Sequence, residues 1–292
     1  MKKLILLIVL SIIYISCQKQ EETPSPVNAS KPKLKTKKVE AGYTSKPFSV
    51  KEEMVLIKSG KYIPLYGKGK NPIAVNDFMM DVYPVTNEQY LAFVKSNPVW
   101  QKSNVKKIFA DENYLSNWEN DTILGQNLNP KSPVTNVSWF AATAYCKSLG
   151  KRLATVDEWE YVAMADQTDP DARKKKNFNQ FILSWYEKNQ TYKNEIGKTY
   201  KNYWGVYDIH GLVWEWTSDF NSILMSGENR SGSDQDKNLF CGSGSLSAND
   251  LMNYAAFMRY AFRGSLKGNY SVQNLGFRGA KDIQNEKDNS TK

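Results

Sequence analysis

The stretch that decides the fold reads GVYDIHGLVWEW and runs from Gly205 to Trp216. It combines two glycines, two carboxylates and two tryptophans with the one histidine of the chain. Aromatic side chains in such a pattern are typical of core packing. A single imidazole cannot build a metal site of several histidines, and nothing beside it suggests a histidine-based triad. We therefore predict that His210 is a structural residue of a turn.

Outward from this stretch, two helix starts are marked by capping residues. Thr86 is followed three residues later by Gln89, and Thr155 is followed three residues later by Glu158. This spacing is that of a capping box, in which each end residue bonds the other's backbone N–H. Aromatic residues follow both pairs at helical spacing. The sequence therefore predicts a helix after Thr86 and another after Thr155.

The remaining elements are predicted from periodicity and from glycine stops. Glu53–Tyr62 is predicted to be a strand that is closed by a glycine. A helix is predicted to begin near Ser138 and to stop at Gly150. Beyond about residue 166 the chain has no clear period and is rich in Gly, Asn, Ser and Tyr. We expect short strands and ordered loops there.

The first 17 residues have the composition of an export signal. Two lysines precede the apolar run Leu4–Ile15, which is too short to span a bilayer. The run ends at Ser16 and Cys17, a junction that resembles the site where bacterial lipoproteins are cleaved and acylated, although Tyr14 departs from the usual aliphatic residue. We predict an exported envelope lipoprotein, facing the periplasm or the cell surface, that is held to the lipid bilayer by acylated Cys17. The alternative is an ordinary signal in which this cysteine is incidental.

The net charge of +9 is concentrated before the folded region. Residues 1–17 contribute +2 and residues 18–51 contribute +5, which leaves +2 for the rest. Residues 18–51 are basic and poor in apolar side chains, and we predict a disordered tether. A single domain is predicted over 52–281, followed by a polar tail over 282–292. Because this domain is nearly neutral, a nucleic-acid partner is not expected.

Five motifs in order carry a family resemblance. They are Pro84–Tyr90 (PVTNEQY), Asn136–Trp139 (NVSW), Gly150–Tyr161 (GKRLATVDEWEY), Gly205–Trp216 and Asn274–Arg278 (NLGFR). Together they resemble the formylglycine-generating enzyme, or sulfatase-modifying factor, family over about residues 52–281. The resemblance implies an α+β fold, a single domain with sparse regular secondary structure that is a variant of the C-type-lectin fold.

The resemblance places the family's two copper-binding cysteines at Asp250 and Ala255. Copper(I) is selected by soft thiolate ligands, and neither residue is a thiol. Formylglycine-generating oxidase activity is therefore not expected, and neither is copper binding. Relatives that hold iron with three histidines are excluded in the same way by the single histidine.

Two cysteines remain with more than one interpretation. The resemblance places Cys146 where some relatives form a disulfide, but their usual partner position is Gly279 here. Cys241 precedes the segment of the lost cysteine pair. Cys241 either serves a redox or copper enzyme, with or without Cys146, or forms a Cys146–Cys241 disulfide, which an exported compartment favours.

The resemblance also implies a structural calcium site. In the family, an ion is bound by a side-chain oxygen at position 208, by the carbonyls at positions 211 and 213, and by a carboxylate at position 215. Hard oxygen donors of this kind suit Ca²⁺. The predicted ligands are therefore Asp208, Gly211, Val213 and Glu215. The alternative is that both carboxylates only hydrogen-bond the turn.

The segment from Phe240 to Arg263 replaces the catalytic stretch and is a candidate ligand cleft. The polar and small residues that we assign to it are Cys241, Ser245, Asn253, Tyr254, Arg259 and Arg263. In the alternative interpretation the cleft is repacked and both arginines form structural ion pairs. The segment also weakly resembles a subgroup of accessory factors for copper nitrite reductases.

Two functions follow from these patterns. The favoured hypothesis is an anchored, non-oxidase module that binds an envelope protein partner or a glycan, or that helps a redox enzyme to mature. The competing hypothesis is a redox or copper-dependent enzyme that uses Cys241.

Overall fold

The structure is a computed structural model that describes residues 53–65, 71–222 and 251–283, with side chains of the last range from residue 254 onward. All of these residues belong to one compact unit, Tyr43–Lys292. The predicted signal with Cys17, the predicted tether over 18–51, residue 52 of the predicted domain and the tail from residue 284 lie outside the described residues. No helix within the described part is long and apolar enough to cross a membrane.

The three predicted helices are present. They are α1 (Asn87–Ser96), α2 (Trp139–Ser148) and α3 (Val156–Ala163). The hydroxyl of Thr86 accepts from the backbone N–H of Gln89, while the Gln89 side chain accepts from the N–H of Thr86 at 2.8 Å. The hydroxyls of Ser138 and Thr155 cap α2 and α3 in the same way. Capping oxygens satisfy amide groups that a helix leaves unpaired at its start.

Two longer helices lie in the region where only short strands and loops were expected. They are α4 (Lys176–Tyr186) and α5 (Leu251–Gly264), so the prediction was wrong for these two segments, although short strands also lie beyond residue 166. Phe178, Ile182 and Trp185 recur along α4 at helical spacing and are buried. The helix begins after Lys175, which makes no side-chain capping bond. Its start therefore lacks the signal that marked the other helices.

The strands are short and form three small sheets. They are β1 (Met54–Ile57), β2 (Gly60–Tyr62), β3 (Ile73–Val75), β4 (Phe78–Asp81), β5 (Arg152–Leu153), β6 (Trp214–Glu215), β7 (Leu275–Gly276) and β8 (Gly279–Asp282). One antiparallel sheet has the order β1-β4-β8-β5, β2 pairs with β3, and β6 runs parallel to β7. The last strand ends at Asp282, one residue inside the range predicted as the tail.

The single strand predicted over 53–62 is two strands in different sheets. The backbone N–H of Ser59 donates to the Asp77 carboxylate at 2.6 Å, and Lys58 pairs with the same carboxylate. This contact lies between β1 and β2, so the chain turns before Gly60 and pairs next with β3. The prediction of strand character was correct, and the prediction of one continuous strand was wrong.

The main core is aromatic and lies between α1, α2 and the chain after β7. Tyr90, Phe93, Tyr145 and Phe277 are fully buried, with ring centroids 5.3 to 6.1 Å apart and mostly edge-to-face or tilted. Burial of each such ring contributes about 1.5–3 kcal/mol. The predicted fold class, an α+β domain with little regular secondary structure, is confirmed.

Candidate functional site

Pairing of β6 with β7 brings together two motifs that are far apart in sequence. Trp214 lies beside Leu275 and Glu215 beside Gly276. The guanidinium of Arg278 then donates to both oxygens of Glu215 at 2.7 to 2.9 Å. Both side chains are buried, so each charge is neutralised by the other.

Glu215 has a further donor on the same carboxylate. The indole N–H of Trp159, on α3, donates to it at 2.8 Å. Arg278 also donates to the carbonyls of Val82 and Tyr207. The Glu215 carboxylate therefore joins α3, β6 and the chain after β7, and a positive guanidinium lies directly against it.

Asp208 is enclosed by donors in the same manner. It is fully buried and has a φ of +58°, in the left-handed region. One carboxylate oxygen accepts from the Gly197 N–H, and the other accepts from the N–H and the hydroxyl of Thr199 at 3.1 and 2.8 Å. Gly211 follows with a φ of +99°, where a side chain would be strained.

These contacts bear on the predicted calcium ligands Asp208, Gly211, Val213 and Glu215. The oxygens of both carboxylates already accept hydrogen bonds, and Glu215 faces a guanidinium that would repel a cation. The described donor set therefore does not fit a Ca²⁺ ion and matches the hydrogen-bonded turn that was the alternative. Calcium binding here stays a prediction that needs a direct measurement.

His210 lies between these two carboxylates in sequence and is fully buried. Its Nε2–H donates to the carbonyl of Ala163 at 2.9 Å, and its ring stands edge-on to Trp159. Burial, followed by the charge of Arg259, lowers the pKa of His210 to about 3. The ring is therefore neutral at pH 7, in agreement with a structural role.

The position that the resemblance gives to the second copper-binding cysteine lies inside the protein. Ala255, on α5, has no exposed surface and packs in one apolar cluster with Phe178 and Ile182 of α4. The other position, Asp250, lies outside the described residues, as do Cys241 and Ser245. Cys146 is buried on α2 in the main core, and its predicted pairing with Cys241 stays a prediction.

Arg259 and Arg263 of the predicted cleft are buried and share one acidic partner. Arg259 donates to both oxygens of Glu160 at 2.7 to 3.2 Å, and Arg263 donates to one of them at 2.6 Å. The Arg263 guanidinium also lies 4.7 Å from the ring centre of Trp159. These contacts support the alternative in which both arginines form structural ion pairs.

The charges of this cluster determine its protonation state. Burial alone would raise the pKa of Glu160, but the charges of Arg259 and Arg263 and their hydrogen bonds outweigh it and lower the pKa to about 2. Glu160 is therefore ionised at neutral pH, and the three residues carry a net charge of +1. Of the other predicted cleft residues, Tyr254 is 44% exposed and the side chain of Asn253 is not described.

An open cleft that sequence reasoning missed lies at the C-terminal end of α4. It has a volume of about 590 Å³ and lies between the end of α4, the 3-10 turn Thr191–Lys193, β6 and the chain before β7. Tyr186 and Trp214 stack at 4.9 Å on its wall. The polar residues that line it are Lys188, Asn189, Gln190, Thr191, Gln273 and Asn274. Apolar rings beside convergent amides are typical of ligand sites.

The feature that defines the class of this protein is an α+β domain in which two distant motifs, Gly205–Trp216 and Asn274–Arg278, meet. They meet at the buried ion pair between Glu215 and Arg278. Residues 41–283 match the family model described as the sulfatase-modifying factor enzyme 1-like domain. The chain therefore belongs to the sulfatase-modifying factor family, and the resemblance drawn from the motifs is confirmed.

Three curated relatives show the range of the family. The bovine (Bos taurus) formylglycine-generating enzyme is 28% identical over 255 residues, which cover 72% of this chain and 67% of that protein. The bovine inactive C-alpha-formylglycine-generating enzyme 2 is 28% identical over 192 residues, covering 51% and 63%. The serine/threonine-protein kinase pkn1 of Chlamydia caviae is 25% identical over 181 residues; the match covers 60% of this chain but only 29% of the kinase's length.

Proposed function

We propose that this protein is a binding or accessory module of the sulfatase-modifying factor family that does not form formylglycine. The observation that carries the proposal is the burial of Ala255, in the place that the resemblance gives to a copper-binding cysteine. A methyl group packed between two helices offers no ligand to a soft metal ion.

The surroundings of Ala255 support the same proposal. The carbonyl of Ala255 accepts a hydrogen bond from the Tyr186 hydroxyl at 3.2 Å, and Arg259, one helical turn further on, is held by Glu160. These contacts fix the described face of α5 against α3 and α4. Polar groups that could act on a substrate are used instead to hold the helix in place.

A binding role is supported by the cleft beside α4. Its stacked Tyr186 and Trp214 rings offer an apolar surface, and its amides offer both donors and acceptors. Such a surface suits a glycan or a segment of an envelope protein. One relative is named an inactive formylglycine-generating enzyme, which gives the loss of oxidase activity a precedent within the family.

Formylglycine formation tests this proposal directly. The full-length chain, given a cysteine-containing sulfatase-type peptide, copper, reductant and oxygen, is expected to leave the peptide cysteine unchanged, as measured by mass spectrometry. The bovine formylglycine-generating enzyme serves as the active control. Conversion above the level of a no-enzyme blank would overturn the proposal. Loss of that conversion in Cys241→Ala would then assign the chemistry to Cys241.

We also propose that the protein is an exported lipoprotein attached to the membrane through Cys17. The apolar run that ends at Ser16 and Cys17, followed by a basic polar segment, supports this location. The native protein should partition into detergent, and mass spectrometry should find an acylated N-terminal Cys17. Cys17→Ser should release the protein or leave its signal uncut. A mature N-terminus at any other residue would exclude the anchor.

A further inference from the structure

A second cavity, which adjoins the aromatic cleft at Val272 and Gln273, contains polar groups that have no partner among the described residues. It has a volume of about 690 Å³ and opens to solvent beside the chain that precedes β7. Its lining includes Asp111, Asn117, Asn136 and Ser271. The volume lies within the range of about 300–1,000 Å³ that is usual for small-molecule sites.

Four side-chain atoms in this wall make no hydrogen bond to any described residue. They are Oδ1 and Nδ2 of Asn117, Oδ1 of Asn136 and Oγ of Ser271, and all four are shielded from solvent. Asn136 and Ser271 are each about 95% buried. An unpaired buried polar atom costs about 1–3 kcal/mol, so three neighbouring residues with such atoms need a physical reason.

The wall that carries these atoms is rigid. The backbone N–H of Ser271 donates to Asp111 at 3.2 Å, and the N–H of Asn136 donates to the carbonyl of Val272 at 3.1 Å. The side-chain amide nitrogen of Asn136 donates to the carbonyl of Asn113 at 3.2 Å. The side-chain oxygen of Asn136 is left without a partner among the described residues. Asn136 and Ser271 are therefore held in place before any ligand arrives, which lowers the entropy cost of binding, whereas no hydrogen bond from a described residue holds the Asn117 side chain.

The backbone here is also strained. Leu115 has a φ of +48° and Asn136 a φ of +57°, in the left-handed region that non-glycine residues rarely adopt. The two residues are joined by a hydrogen bond from the Leu115 N–H to the Asn136 carbonyl at 2.8 Å. Strain of this kind concentrates at sites of function.

The chemistry of the lining selects the class of ligand. The unpaired groups are neutral, and they include a donor (the Asn117 amide nitrogen), two acceptors (the Asn117 and Asn136 oxygens) and a hydroxyl that does both. Among the described residues that line the cavity, Asp111 is the only carboxylate, and none is Lys or Arg. A cation beside these residues is Lys267, whose ammonium lies 5.7 Å from the ring centre of Tyr270 and outside the lining, and one carboxylate is few for a tightly bound cation. Sugar hydroxyls, by contrast, donate and accept in adjacent pairs.

We propose that the cavity bounded by Asp111, Asn117, Asn136 and Ser271 binds a neutral saccharide. The ring of Tyr270, which also lines the cavity, supplies an apolar surface for a sugar face. Because the unpaired atoms are shielded, the ligand engages them after a rotation of the partly buried Asn117 side chain, a change that is common on binding. The proposal rests on the binding role given above and adds a ligand class and a place.

The test combines a binding measurement with a stability measurement on the full-length chain. An array of neutral oligosaccharides is expected to show binding, and titration calorimetry then gives the affinity of the best one. Asn117→Ala and Ser271→Ala should each weaken that affinity at least tenfold. Both should keep or raise the melting temperature, because each removes buried polar atoms that have no described partner. Asn76→Ala, at an exposed position that lines neither cavity, should leave the affinity unchanged.

A matched serine control separates binding from folding. Ser132 is also fully buried, but its hydroxyl donates to the Lys193 carbonyl at 2.7 Å, so Ser132→Ala should lower the melting temperature where Ser271→Ala does not. The proposal is overturned if no neutral saccharide binds with a dissociation constant below about 10 mM, or if binding persists in both cavity variants. Saccharide binding that is lost only in Asn189→Ala, at an exposed position of the aromatic cleft, would move the site to that cleft. Formylglycine turnover would refute the proposed function independently of these results.

Discussion

The regions around Glu160 and Asp111 differ in how far their buried polar groups are hydrogen-bonded. Glu160 is surrounded by donors from Arg259 and Arg263, so that both of its oxygens are used. Around Asp111, by contrast, neighbouring Asn117 has both side-chain polar atoms without a partner among the described residues. The first arrangement uses its polarity to hold the fold together. The second keeps hydrogen-bonding capacity that the fold does not use.

The two regions differ in the interactions that a substitution removes from them. A buried ion network has already been removed from water, so losing one member leaves unpaired charge in a medium of low dielectric. Unpaired neutral groups make no hydrogen bond that a substitution could break. Removing them also removes the desolvation cost of their burial. Substitutions in the two regions should therefore differ in the sign as well as the size of their effect on stability.

The largest effect is expected from Glu160→Ala. It leaves the guanidinium groups of Arg259 and Arg263 buried without their shared carboxylate. Removing one partner of a buried ion pair costs about 3–5 kcal/mol. Urea unfolding, followed by tryptophan fluorescence, should show a midpoint lowered by a corresponding amount.

An exposed pair provides the control for this prediction. Asp171 pairs with Arg173 at 2.7 Å, and its side chain is 45% exposed. Asp171→Ala should cost no more than about 1 kcal/mol, as exposed pairs do. Equal losses in the two variants would mean that the Glu160 cluster does not stabilise the fold, and the contrast between the two regions would fail.

The elements that could be predicted from sequence are those set by local chemistry. Thr86 with Gln89, and Thr155 with Glu158, satisfy each other's backbone within one turn, so their spacing alone predicts where α1 and α3 begin. Helix α4 starts after Lys175 without such a signal. Its buried residues Phe178, Ile182 and Trp185 nevertheless recur at helical spacing, so the prediction that the chain lacks a period beyond residue 166 was wrong for this segment.

The candidate sites could be predicted only in part, because their partners are distant in sequence. The sequence indicated Arg259 and Arg263, but their partner Glu160 lies 99 and 103 positions away. Likewise, nothing local to Glu215 indicates a pairing with Arg278. The unpaired atoms of Asn117 and Ser271 were missed entirely, since an absent hydrogen bond has no sequence pattern.

A smaller effect is expected from acid. The pKa of Glu160 is about 2 in the folded protein, below its ordinary 4.5. A lowered folded pKa gives stability that is fully present above pH 4.5 and is lost as the pH falls towards 2. Unfolding midpoints of the wild type should therefore fall across this window. Glu160→Gln should have a flatter profile there, and an unchanged slope would show that other carboxylates dominate the acid response.

The smallest effect is expected from removal of calcium. This experiment tests whether the carboxylates of Asp208 and Glu215, like that of Glu160, are fully hydrogen-bonded within the fold. An ion that binds only the folded state would raise the melting temperature. Because the oxygens of both carboxylates already accept hydrogen bonds and Glu215 is paired with Arg278, we expect the same melting curve in calcium and in chelator. Asp208→Asn should lower the melting temperature equally in both conditions, since its new amide group would face the N–H groups of Gly197 and Thr199. A calcium-dependent rise that is present in the wild type and abolished in Asp208→Asn would instead establish the calcium site, and the hydrogen bonds to Asp208 would then describe only the ion-free turn.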